Sequence, residues 1–149
     1  CGGLRVRSGG RLTLGPGVYA VSGALTIDSG GKVTGSGVTI ILKPGGTATF
    51  SPGSHVDLSA PLSGATAGLV LAADISAGGT STLGGGPNQN LVGAVHLPRQ
   101  KLRLQSLTSS ACTHFIADTV DVTGPTRVSN LCSGTAVRPI EDLGVRLVG

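Results

Sequence analysis

Short runs in which apolar and polar residues alternate follow one another along the chain. Gly-rich turns such as Ser8-Gly9-Gly10 and Pro44-Gly45-Gly46 separate these runs. Alternation with a period of two places successive side chains on opposite faces of a β-strand, so the runs predict strands. The predicted strands are Leu4–Val6, Arg11–Leu14, Val18–Val21, Ala24–Ile27, Val38–Leu42, Thr47–Phe50, His55–Leu58, Leu69–Ala72, Val92–Leu97, Lys101–Leu104, Phe115–Val122 and Arg127–Val128.

The more apolar runs can be set in register with one another. They begin at Gly17, Gly37, Gly68, Gly93 and Thr113. The intervals between these starts match one coil of a β-solenoid, roughly 20 residues, with inserted loops in two of the coils. The pattern therefore predicts one all-β domain over the whole chain, a β-solenoid in the form of a right-handed parallel β-helix. The alternative is a β-sandwich, which expects longer strands and a more aromatic core.

The alternation also predicts which side chains fill the inside of the coils. A run that is apolar on both faces, such as Val38–Leu42, needs cover from further sequence or from a partner. The predicted core consists of Leu12, Leu14, Val18, Val21, Leu25, Ile27, Val38, Ile40, Leu42, Leu69, Leu71, Val95, Leu97, Leu102, Leu104, either Phe115 or Ile116, Val120 and Val122.

Composition supports the all-β prediction and removes other classes of protein. The 149 residues include 26 Gly without a three-residue period, which excludes collagen, and Gly or Pro interrupts nearly every helical window. The net charge is +4, but the cations are scattered and the only aromatic residues are Tyr19, Phe50 and Phe115, which argues against binding to nucleic acid. The longest apolar run, Gly68 to Ala73, is far shorter than the about 20 residues of a membrane helix.

The three cysteines have spacings that favour a disulfide. Cys112 and Cys132 lie one predicted coil apart in the sequence, and residues one coil apart stack at a distance that a disulfide spans. There is no metal-ligand spacing, so we expect neither a metal nor a cofactor. A Cys112–Cys132 bridge implies an oxidising compartment. Cys1 is left over, and it either pairs with an upstream cysteine or is the acylated first residue of a lipoprotein.

The candidates for acid–base chemistry are three histidines and five aspartates. His96 and Asp118 are separated by close to one coil and can stack on adjacent coils, and Asp118 and Asp121 share one segment, as paired carboxylates do in solenoid glycosidases and lyases. However, no basic residue completes such a site and no aromatic side chain offers a floor for a sugar ring. We therefore predict no catalytic residue, and keep a carbohydrate-active β-helix enzyme as the rival class. The candidates are His55, His96, His114, Asp28, Asp57, Asp74, Asp118 and Asp121.

Threonines flanked by apolar residues suggest a second alternative, an ice-binding solenoid. Thr13, Thr26 and Thr39 recur at a regular interval, however, that is clearly shorter than the predicted coil. In a coil of about 20 residues they would fall on different faces. Threonine is also a strong β-former that points outward in many strands, so the pattern by itself favours ordinary strand surface.

The order of several segments resembles the C-terminal region of TadG-like Flp (tight-adherence) pilus-assembly proteins. The segments are Leu12–Gly23 (LTLGPGVYAVSG), Gly35–Leu42 (GSGVTIIL), Asp57–Pro61 (DLSAP) with Ser63-Gly64 and Ala67–Leu69, Asn90–Pro98 (NLVGAVHLP), and Cys112 through Ile116–Val120 to Cys132. The resemblance implies an excised C-terminal portion of a membrane-anchored Gram-negative envelope protein, which serves pilus assembly and adhesion in the periplasm or at the cell surface. The family offers no catalytic motif.

The function predicted from these observations is binding through a surface, without catalysis. The predicted contact patch consists of three cations close together on one predicted strand and the residues that lead into it. They are Arg99, Lys101 and Arg103. The expected partners are proteins of the pilus machinery, further copies of the chain, or an anionic envelope polymer, and not nucleic acid. Contact with a membrane is expected only through an upstream segment.

Overall fold

A computed structural model of the chain describes residues 2–86, 89–107, 112–129 and 132–137. These ranges contain no helix and form twelve β-strands. The strands are β1 (Leu4–Val6), β2 (Arg11–Leu14), β3 (Gly17–Val21), β4 (Leu25–Ile27), β5 (Lys32–Ser36), β6 (Val38–Leu42), β7 (Ala48–Phe50), β8 (His55–Ser59), β9 (Leu69–Ala73), β10 (Gly79–Gly84), β11 (Gln89–Gln105) and β12 (Cys112–Thr123).

The strands stack in three parallel columns, which makes the fold a β-solenoid of about five coils. Column I contains β1, β4, β7 and β10, column II contains β2, β5 and β8, and column III contains β3, β6 and β9. The long strand β11 bends around the corners and joins all three columns by pairing with β8, β9 and β10 in turn. The all-β solenoid prediction is confirmed, and the β-sandwich alternative is wrong.

The register between coils agrees with the predicted coil length and places the insertions. Leu4 pairs with Leu25, and Leu25 pairs with Ala48, so each of these coils is close to the predicted length. Thr49 pairs with Thr82 over a longer interval, because the chain loops out between β8 and β9. Two predicted registers differ by a single position. Gly17 pairs with Val38 and not with Gly37, and the register of the runs that begin at Gly68 and Gly93 shifts by one residue after Ala94. Gly37 has φ 68° and forms the corner that precedes β6.

Most of the predicted core lies inside the coils. Leu25, Leu42, Leu71, Leu97 and Leu102 are among the fully buried side chains. The alternation fails to predict two strands, β5 and β10, because their sequences KVTGS and GTSTLG carry few apolar residues. Their buried positions include Val33, Ser81 and Leu83.

The prediction that Val18, Val120 and Val122 are buried is wrong, because the structure places all three in exposed positions. Val18 is 55% exposed because Tyr19 and Val21 take the inward positions of β3, which turns Val18 outward. Val120 and Val122 pair with the buried Leu102 and Leu104, but they belong to the last described strand of column I. Leu12, Leu69 and Phe115 are only partly buried, and Ile116 is exposed.

Two sets of hydrogen-bonded polar side chains are buried inside the solenoid, where the other positions are mostly apolar. The Ser81 hydroxyl donates to Oε1 of Gln100, and Nε2 of Gln100 donates to the Gly46 carbonyl at 2.8 Å. Nε2 of Gln89 donates to Oγ of Ser54 at 2.8 Å. Each group makes hydrogen bonds that would be costly to leave unmade in the interior. These polar links tie successive coils together through their inside.

Candidate functional site

The outer side of column I, called face I, presents one continuous row of side chains across the coils. Parallel register stacks equivalent positions about 4.8 Å apart, so residues from distant parts of the sequence become neighbours. In order along the solenoid the row is Arg5, Thr26, Thr49, Thr82, Arg103 and Asp121. Threonines therefore occupy three successive coils, and arginines flank them.

The predicted separation of Thr13, Thr26 and Thr39 onto different faces is confirmed. Thr13 lies in column II, Thr26 in column I and Thr39 in column III. The threonine that stacks on Thr26 is Thr49 of the next coil, a pairing that the sequence interval alone did not reveal. The run of threonines on face I is thus short and ends in charged residues on both sides.

The predicted cationic patch lies at the C-terminal end of face I. Lys101 and Arg103 point outward from β11, because the intervening Leu102 is buried. Arg99 is exposed near the corner where the chain enters column I. Asp121 lies between the two cations of β11, with its Oδ2 3.5 Å from Nζ of Lys101 and 3.7 Å from Nε of Arg103. The patch therefore contains a carboxylate that partly neutralises it.

A groove follows the corner between columns II and III, and we call it the corner groove. It consists of two adjoining hollows of about 420 and 450 Å³ that share Pro16, Ser36 and Ser59. Hydroxyl groups line one side, where Thr13 and Thr34 lie 3.4 Å apart and Ser59 donates to Ser36 at 3.2 Å. The remaining lining residues include Leu14, Gly35, Gly37, Asp57, Ala60, Leu62, Gly68, Val92 and Gly134 to Val137.

The predicted Cys112–Cys132 disulfide is confirmed, and it holds one wall of the corner groove in place. The two Cα atoms are 5.0 Å apart. Beyond Cys132, the Thr135 hydroxyl donates to the Cys132 carbonyl at 2.9 Å, and the segment from Gly134 to Val137 then lies against the groove. The disulfide fits a protein outside the cytoplasm. Cys1, the third cysteine, lies outside the described residues.

The acid–base candidates are distributed over all three columns. His96 pairs with Ile116 and not with Asp118, because Asp118 occupies the irregularity between the two paired parts of β12. The expected stack of His96 on Asp118 is therefore wrong. Asp28 accepts two hydrogen bonds from Arg5, at 3.0 and 3.2 Å.

Two further aspartates have hydrogen-bond partners of their own. Asp57 accepts a hydrogen bond from Nδ2 of Asn90 at 3.0 Å on the outer side of column II. Hydrogen bonds from the side chain and the backbone of Ser76 lower the pKa of Asp74, and the nearby Lys43 acts in the same direction. These carboxylates serve turns and ladders at separate places on the surface.

Within the four described ranges, no three His, Cys, Asp or Glu side chains come together as a metal site. The same part of the chain has no helix with the length and apolar character to cross a membrane. Comparison with protein-family models, curated proteins and solved structures finds no match to the chain.

Proposed function

We propose that this solenoid is a non-catalytic structural and adhesion module of the bacterial envelope, exposed to the periplasm or the cell surface. The observation that supports this proposal best is the arrangement of face I, where Lys101 and Arg103 project side by side from one strand with Arg99 beside them. The resemblance to TadG-like proteins supports a role with Flp pilus assembly, and the disulfide is consistent with an extracytoplasmic location.

The geometry of face I suits contact with an extended anionic partner. A parallel sheet fixes the backbone positions from which its outward side chains project, so the cations are presented to an approaching polymer at a regular spacing. Such contacts are electrostatic and exposed to solvent, and added salt should weaken them. Asp121 competes with the partner for Lys101 and Arg103, so it limits the attraction of the patch.

The test is binding to immobilised dextran sulfate, used as a polyanion, alongside attachment of cells that display the chain. We expect the triple variant R99E/K101E/R103E to bind at least about ten-fold more weakly in low salt. The variant D121N removes the competing carboxylate and should bind several-fold more tightly. Both differences should shrink as salt is raised.

The matched control reverses three cations on other parts of the surface, in the variant R7E/R11E/K32E. Arg7, Arg11 and Lys32 are all exposed, and the change in net charge is the same. If both triple variants lose binding equally, the attraction comes from net charge and not from face I. If both bind as well as the unaltered chain, the proposed role of the cations is wrong.

The corner groove favours a second candidate, a carbohydrate-active protein. Hydroxyl groups and the carboxylate of Asp57 line it beside the apolar Pro16 and Leu62, a mixture that matches the polar and apolar sides of a sugar. Incubation of the purified chain with a panel of glycans and polyuronates distinguishes the two candidates. Cleavage that the variant D57N abolishes would replace the adhesion proposal with the enzyme class.

A further inference from the structure

Within the described ranges, the two terminal strands of column I each pair on one side only. Among the described residues β1 pairs only with β4, and the column I part of β12 pairs only with β11. The second edge of a strand that pairs on one side carries backbone N–H and C=O groups in the spacing of a parallel ladder. Such an edge is a template for one more strand.

Side chains at the C-terminal edge occupy core positions but remain exposed. Val120 and Val122 continue the inward rows of Leu102 and Leu104, yet they are 46% and 55% exposed. Val128, a short way further along the chain, is 47% exposed. An additional coil laid on this end would cover these valines in the same way that each earlier coil covers the one before it.

The strand at the opposite end has a matching pattern. Leu4, Arg5 and Val6 alternate apolar, charged and apolar, as Val120, Asp121 and Val122 do. Arg5 and Asp121 are the two terminal members of the face I row. If β1 of a second copy continued the row beyond β12, its Leu4 and Val6 would lie on Val120 and Val122.

The charges favour the same register. Arg5 of the second copy would lie next to Asp121, which already faces Arg103 on its other side. Asp121 would then separate two arginines, and cations and the carboxylate would alternate along the row. Opposite charges on adjacent strands stabilise their pairing, whereas like charges directly opposite each other destabilise it.

We propose that copies of this chain associate head to tail, with β1 of one copy added in parallel to the column I part of β12 of the next. The contact joins two different surfaces, so it leaves a free end after every addition and generates an open filament. It requires no anionic ligand, although it uses Asp121, which also belongs to face I. If the chain binds dextran sulfate but remains a monomer, the proposed assembly is wrong and the function proposed for face I stands.

Interchain cross-linking tests the register directly. In a C1S background, the variant R5C/D121C places one cysteine on each predicted contact strand. The two positions lie at opposite ends of one molecule, so a bond between them can form only between copies. Mild oxidation should give dimers, trimers and higher species on a non-reducing gel, and mapping should place the new bond between positions 5 and 121.

The matched control is the variant T49C/D121C in the same background. Thr49 lies in the same outward row, but its strand β7 is already paired on both sides, with β4 and β10. This control should remain monomeric. If it forms the same ladder as R5C/D121C, the cross-links report random collision, and the proposal is wrong.

Sedimentation of the uncross-linked protein gives an independent test. The unaltered chain should show concentration-dependent assembly, and V120K/V122K should reduce the association constant at least about ten-fold by placing two charges at the contact. The variant V18K changes an exposed valine on another face and should assemble normally. A chain that remains monomeric at millimolar concentration, with no ladder from R5C/D121C, would overturn the proposal.

Discussion

At the scale of single residues, hydrogen bonds lower the pKa of the Asp74 carboxyl group. The backbone N–H and the hydroxyl of Ser76 donate to Oδ1 of Asp74 at 3.0 and 2.7 Å, and both bonds favour the charged form. The lowered pKa of Asp74 means that this turn stabilises the fold at pH values above the ordinary carboxyl pKa. The contribution is lost as the pH falls through the lowered value.

The substitution Ser76→Ala should raise the pKa of Asp74 toward its ordinary value. The side-chain hydrogen bond is the largest cause of the lowered pKa, and alanine removes it while the backbone donor remains. Titration of the Asp74 carboxyl by NMR checks the expectation. The substitution Lys43→Gln should have a smaller effect in the same direction, and an equal or larger effect would contradict the assigned order of causes.

Glycine has a packing role at Gly35 that its backbone angle does not disclose. A Cβ at this position would lie 2.8 Å from Cγ2 of Val38 and 2.9 Å from the Leu14 carbonyl oxygen. Val38 and Leu14 are both buried, so neither can move away without disturbing the core. Gly35 belongs to β5, a strand that the alternation does not predict, so the sequence pattern gives no sign of this role.

At the scale of structural elements, the disulfide joins a coil to the segment that follows it. Cys112 is the first residue of β12 and is buried. The backbone N–H of the next residue, Thr113, donates to the Ser129 carbonyl at 3.1 Å. The chain after β12 therefore lies against the start of the same strand. The disulfide fixes this return and, with it, the groove wall from Gly134 to Val137.

Loss of the disulfide should lower the free energy of unfolding by about 3 kcal/mol, the value that loop entropy gives for a closed loop of this size. The variant C112A/C132A checks this by denaturant unfolding, with C1S as the control that retains the bridge. The double variant should also expose Gly134 to Val137 to limited proteolysis. Free thiols at both positions in protein kept oxidised would contradict the pairing.

At the scale of the whole molecule, a solenoid has central coils covered on both sides and end coils covered on one. The central strand β7 lies between β4 and β10, whereas the column I part of β12 has a neighbour only in β11 among the described strands. Repeat proteins of this kind derive their stability from interfaces between neighbouring coils. Local opening should therefore begin at the ends.

Hydrogen exchange should follow this order. We expect the amides of Ala48–Phe50 to exchange at least about ten-fold more slowly than those of residues 120–122, because opening free energies in one protein range from near zero to the global value. The measurement should use protein dilute enough to be monomeric. At concentrations where copies assemble, protection of residues 120–122 should increase. Uniform protection in the monomer would contradict stepwise stability along the solenoid.

Much of the fold and part of the candidate site are present in local sequence. Alternation in runs such as Val38–Leu42 identified most strands, and the return of similar runs at a coil-length interval identified the solenoid. The spacing of Cys112 and Cys132 predicted the disulfide. These features are determined locally because side-chain alternation and coil length are properties of the chain itself.

Only the tertiary structure decided which distant residues became neighbours. Insertions and irregularities of different length shift the register, so the stacking of Thr49 on Thr82 and the pairing of Arg103 with Asp121 do not follow from a constant spacing. The burial of Gln100 depends on one partner from another strand, Ser81, and one from a turn, Gly46. The sequence by itself determined most of the strands, the coil and the bridge, whereas the stacking of coils decided which charges meet, because a one-residue shift moves every side chain to the opposite face.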